Sequence, residues 1–84
     1  MKLGQLLDKV DSWNGVKVDI WVKCKEYVTV CGIPQYVTKE YHTVHEKPMY
    51  HDEVRKYRDN TLVNCFITNA GDNASALLEI TVKE

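Results

Sequence analysis

Residues 1–22, MKLGQLLDKVDSWNGVKVDIWV, decide how the rest of the chain is read. Leu3, Leu6, Leu7 and Val10 fall at i, i+3, i+4 and i+7, one face of a helix. Gln5, Asp8 and Lys9 take the other face. Asp11, Ser12, Asn14 and Gly15 crowd into a stop signal around Trp13, which is expected to fold back over the helix end. Val16, Val18, Ile20 and Val22 then alternate with Lys17, Asp19, Trp21 and Lys23, the period of a half-buried strand. A helix, a turn and a strand predict an α+β domain that starts at Met1, with no leader or linker before it.

Working outward, Tyr27–Cys31 reads as a second strand. For Val28 and Val30 to share a face with Ile20 and Val22, the loop must be odd in length: Cys24 to Glu26, or Lys23 to Tyr27. A three-residue loop wants Gly or Asn in its left-handed position, and Glu26 is neither, so the longer loop is favoured. Cys24 then lies in the loop and Cys31 on the outer face, which separates the two thiols. Gly32-Ile33-Pro34 is expected to end this hairpin, because proline does not continue a central strand.

Residues 35–48 read as an irregular excursion with one short edge strand near Glu40 to Val44, and their order is left open. Tyr50, Val54 and Tyr57 predict a helix of about two turns from Tyr50 to Arg58. Asp52 near its start and Arg58 near its end suit the helix dipole. A second hairpin closes the chain: Val63, Cys65 and Ile67 face Leu78, Ile80 and Val82 across the turn residues Gly71 to Ala74. That loop pairs Ala70 with Ser75, Ile67 with Leu78, Cys65 with Ile80 and Val63 with Val82, and no bulge is needed. The expected fold is a single α+β domain over 1–84: a small antiparallel sheet of four or five strands with two short helices, in the order α-β-β-(β)-α-β-β. A curved, barrel-like sheet fits this size, since closure hides strand edges.

At 84 residues there is room for one modest core, and a stability of roughly 3–5 kcal/mol is expected. The composition, 44% hydrophobic and 27% charged, is that of a folded chain rather than a disordered one. Eleven basic and twelve acidic side chains leave a net charge of −1, which argues against a sequence-independent binder of nucleic acid. No run approaches the ~18 apolar residues of a membrane span, and none has the pattern of a signal peptide. Three cysteines, with no CxxC pair, suit free thiols in a reducing compartment. The expected location is the cytoplasm.

The segments MKLGQLLDKV, VKVDIWV and GIPQYV, with the closing LLEITV, resemble a group of small uncharacterised phage and prophage proteins of Firmicutes. That resemblance implies a small β-rich fold, an origin in a phage or mobile element, and the cytoplasm of a host cell. It implies no activity and no functional residues. The stretch from Tyr36 to Tyr57 lies outside it and looks like an insertion.

His42, His45 and His51, together with a cysteine, are the metal candidates, because zinc accepts mixed imidazole and thiolate ligands. Their spacing matches no zinc-finger pattern, and three exposed histidines on a polar excursion is the plainer reading. No metal or other cofactor is expected. Cys31 is the one thiol placed where a nucleophile could act, while Cys65 reads as core packing. The carboxylate pairs Asp52/Glu53 and Asp8/Asp11 fall on polar helix faces, where solvation and capping account for them. No enzymatic role is expected.

The aromatic residues carry the strongest functional expectation. Trp21 and Tyr27 are predicted on the outer sheet face, and Leu62, Phe66 and Leu77 also point away from the core. Such a face must be covered by the chain's own helices, by a second copy or by a partner. A protein-binding surface anchored by Trp21, Tyr27, Tyr36 and Tyr41, with Lys23 and Lys25 beside it, is the expected function. Its concrete form is a small non-catalytic inhibitor of a host defence nuclease, in the manner of anti-CRISPR proteins. The alternatives are a self-associating phage assembly protein, a zinc-binding module, and a module that stacks single-stranded nucleic acid on these rings.

Overall fold

A computed structural model describes residues 1–9, 16–69 and 76–84. The elements run α1 (Leu3–Asp8), β1 (Lys17–Val30), β2 (Ile33–Pro48), α2 (Asp52–Arg55), β3 (Leu62–Asn69) and β4 (Ala76–Lys83). The strands form one sheet in the order β2-β1-β4-β3. Both expected hairpins are present, but β1 and β4 join them by parallel pairing, from Lys17↔Leu77 to Lys23↔Lys83. The sheet is therefore mixed rather than antiparallel. It is also open, with β2 and β3 as free edges, and not a barrel.

The alternation that marks β1 and β4 places Val18, Ile20, Leu78, Ile80 and Val82 on one face, where all are buried. Leu3 and Leu7 of α1, Val54 of α2 and Val44 of β2 complete the same cluster, so both helices cover that face. A six-residue helix is marginal alone, and α1 is held by its docking. Its first free N–H groups are met by other backbone: Leu3 N–H donates to the Asn60 carbonyl at 3.0 Å and Gly4 N–H to that of Arg58 at 2.8 Å. The Lys2 N–H is met by the Gln5 side chain at 2.8 Å. Val10, Trp13 and the stop signal around it lie outside the described residues, as does the turn at Gly71 to Ala74 with its Ala70–Ser75 pair.

The largest departure from the sequence reading is in the first hairpin. No loop occurs at residues 23–27, and Cys24 sits within a continuous strand. The chain reverses instead at Cys31 and Gly32, whose φ values are 52° and 80°. Two positive φ values are the requirement of a two-residue type I′ turn, and Gly32 supplies one without steric cost. Nothing in 23–27 offers that. Pro34 continues β2 because Val30↔Ile33 closes the turn as the hydrogen-bonded pair. Pairs alternate, so Thr29↔Pro34 is a site whose ring nitrogen faces away from β1 and forgoes no bond. The supposed excursion at 35–48 is part of this one strand. The second helix is shorter than expected, one turn rather than two, with His51 as its N-cap.

The second hairpin keeps Ile67↔Leu78 and Cys65↔Ile80, but a bulge between Leu62 and Asn64 pairs Leu62, not Val63, with Val82. Leu62 packs against the core and Val63 is left exposed. The larger side chain gains more from burial, and one extra residue is enough to exchange them. Ile67, expected inward, is exposed on this edge strand, whereas Cys65 is half-buried against the core.

Candidate functional site

Two features stand apart from this core. The first is a consequence of strand length. β4 ends at Lys83, opposite Lys23, whereas β1 continues to Val30. Among the described residues Cys24–Val30 and Ile33–Lys39 therefore pair only with each other, as a two-stranded arm about 23 Å long at ~3.3 Å per residue. The arm stretches the molecule to 50 × 30 × 19 Å. Its radius of gyration is 14.9 Å, against about 12 Å for a compact chain of this length.

Because paired residues share a face, Lys25, Tyr27 and Thr29 lie with Thr38, Tyr36 and Pro34 on one side of the arm. Tyr27 and Tyr36 are 63% and 70% exposed and meet edge-to-face with centroids 5.0 Å apart. Trp21 and Lys23 continue this side onto the sheet, beside Glu79, Thr81 and Lys83 of β4. Phe66 and Leu77 also lie on this outer side, Phe66 exposed and Leu77 buried. The opposite side of the arm tip presents Val30 and Ile33, 45% and 65% exposed.

Tyr41, grouped with the other rings at the level of sequence, belongs to the opposite face, since it pairs with the inward residue Val22. There its hydroxyl donates to the Glu26 carboxylate, which Lys39 also meets at 3.1 Å. The bond to Tyr41, with help from Lys39, holds Glu26 below the usual carboxylate range. The same bond pushes the Tyr41 phenol up to about 12. Desolvation raises the Cys24 thiol, and the Glu84 and Glu26 carboxylates add to it. Burial alone raises Cys65. Cys31 lies exposed in the turn rather than on the strand face.

The second feature sits at the base of the arm. In a regular strand, His42 and His45 would face opposite ways, being three residues apart. β2 shifts register twice here, between the partners of Ile20 and Trp21 and between those of Val18 and Ile20. The extra residue at Thr43 brings both imidazoles to the outer face, where they converge on Asp19. His42 Nε2 lies 3.5 Å from Asp19 Oδ2, and His45 Nδ1 lies 3.7 Å from Oδ1. His42 stacks on Trp21 with centroids 4.4 Å apart and planes 7° from parallel. Asp19 is only 4% exposed, and its Oδ1 accepts the Glu46 N–H at 2.6 Å.

Two of the three sequence-level metal candidates thus come together, with a carboxylate rather than a cysteine. His51 is elsewhere, its Nδ1 accepting the Glu53 N–H at 3.1 Å as the cap of α2. Asp19 was missed as a site residue because it reads as one more solvated position in an alternating strand. The available signal was the pair His42-x-x-His45 in a β-prone segment, which shares a face only if the strand bulges.

Among the described residues no helix is long and apolar enough to cross a membrane. No family model, no curated protein and no solved structure matches this chain.

Proposed function

We propose that the chain is a non-catalytic module that docks onto a protein partner through the β1–β2 arm. The observation that carries this reading is the solvent-exposed ring pair of Tyr27 and Tyr36 on a ribbon that, among the described residues, pairs with no third strand. Val30 and Ile33 are exposed on the reverse side, so among the described residues neither side of the tip is covered, and a docked molecule would bury it. Tyrosines are suited to this, since each brings a large rigid contact area with a polar tip at low conformational cost. The arm also leaves unpaired backbone along both edges, which a strand of the partner can extend.

Charge favours protein over nucleic acid. Along residues 23–40, Lys23, Lys25 and Lys39 are nearly balanced by Glu26 and Glu40, and Glu26 already pairs with Lys39. A phosphate-tracking arm needs a clear basic excess. The resemblance of the opening and closing segments to small phage proteins supports a host or phage protein as the partner. An inhibitor that occupies a host defence nuclease is the concrete form; a self-associating assembly protein is the alternative.

The experiment compares capture by the intact chain with capture by a Tyr27→Ala/Tyr36→Ala variant. A partner recovered by the first and lost by the second, at unchanged melting temperature, supports arm docking. Equal capture by both refutes it. A mass that doubles with concentration, and no longer does so in the variant, favours self-association.

A further inference from the structure

We propose that Asp19, His42 and His45 form a binding site for one divalent first-row transition-metal ion of the zinc class. The inference does not depend on the docking role of the arm. The donor atoms of the three residues all lie within 4.8 Å of one another. Ions of this class bind imidazole and carboxylate at about 2.0–2.2 Å in tetrahedral geometry, which requires donors roughly 3.3–3.5 Å apart. The separations of 3.5 and 3.7 Å from Asp19 to the two imidazoles are close to that value. The carboxylate presents a different oxygen to each ring, so either oxygen, or both, is placed to ligate an ion lying between them. Two imidazoles and a carboxylate with open positions is a donor set that zinc, cobalt, nickel and ferrous iron accept.

Three further features fit an ion better than a mere polar cluster. First, Asp19 is a buried carboxylate with no Lys or Arg partner among the described residues. A buried charge without a permanent counter-charge is costly, and a cation at this point offsets it. Second, the backbone is deformed to build the cluster. Glu46 adopts φ 47°, a left-handed conformation that non-glycine residues rarely hold, and so aims its N–H at Asp19. Thr43, the bulged residue, is anchored by its hydroxyl donating to the Ile20 carbonyl at 3.3 Å. Third, the ligands are already oriented by a supporting shell: Trp21 fixes the His42 ring plane, and the Glu46 N–H fixes the carboxylate. The His45 side chain is 73% exposed, which leaves a route for the ion and room for water ligands.

The test uses the full chain, stripped with chelator, kept reduced and titrated calorimetrically with zinc alone. One equivalent is expected to bind. His45→Ala, at an exposed position where the fold is not at stake, is expected to lose about tenfold or more in affinity, since even outer-shell partners are worth that much. A Cys24→Ser/Cys31→Ser/Cys65→Ser variant is expected to bind as the parent does. Cobalt is expected to give visible d–d bands without a thiolate charge-transfer band, and to quench Trp21 fluorescence through the stacked His42 ring. Absence of zinc binding, or binding that survives His45→Ala and disappears with the cysteines, overturns the proposal.

Discussion

If the arm is an appendage, it can be removed without unfolding the domain. The perturbation is excision of Lys25–Thr38, with Cys24 joined to Lys39 through an Asn-Gly turn. Cys24↔Lys39 has the same pairing parity as Val30↔Ile33, the pair that closes the native turn, so a two-residue loop fits there without a change of register. The excised stretch contains no buried side chain; Glu26, Val28 and Val37 are at most half-buried. Ordering it costs about 1–2 kcal/mol per residue of backbone entropy. Ladder bonds and cross-strand contacts offset this, and for an isolated two-stranded hairpin the sum is close to zero. The Glu26–Lys39 ion pair and the Tyr41–Glu26 hydrogen bond that go with it are both exposed to solvent, which screens them. The unfolding free energy should therefore change by no more than about 1 kcal/mol. Ile20→Ala, at a fully buried position, should by contrast cost about 2–5 kcal/mol, most of the expected stability. Urea unfolding followed by circular dichroism measures both, and amide exchange at Val18, Ile20, Ile80 and Val82 checks that the core persists. A short-arm variant that loses more than about 2 kcal/mol, or the slow exchange of those amides, would refute the view of the arm as an appendage.

Three other outcomes follow from particular residues. Cys31→Asn should stabilise the chain by about 0.5–1 kcal/mol in thermal melts, because Asn tolerates the left-handed position that Cys31 occupies in the turn; a lower melting temperature would contradict the turn type. Leu62→Ala should cost about 2 kcal/mol and Val63→Ala less than about 1, the reverse of what an unbulged register predicts. In an absorbance titration, one tyrosine should ionise only near pH 12, and Tyr41→Phe should remove that step while raising the Glu26 carboxyl toward its ordinary range. The signs differ for the two partners. The raised phenol contributes stability that is complete below about pH 10 and lost as pH rises through about 12. The lowered Glu26 contributes stability present above the usual carboxylate range and lost as pH falls through its depressed value.

The faces of the central strands follow from local pattern alone. The alternation of Val18, Ile20 and Val22, and of Leu78, Ile80 and Val82, is a local signal, because side chains in a strand change sides every residue. The same holds for the Leu3/Leu7 stripe of α1 and for the Ile67↔Leu78 pairing. Three things were decided only by tertiary structure. Alternation is satisfied equally by parallel and antiparallel neighbours, so the β1–β4 pairing that makes the sheet mixed had no local signature. The arm exists because β1 outlasts its parallel neighbour, a comparison between segments far apart in the chain. The Asp19–His42–His45 cluster depends on two register shifts in β2. A bulge has no composition of its own when the extra residue is an ordinary Thr, and it forms because long-range pairing on either side of it is worth more than the local ladder it interrupts.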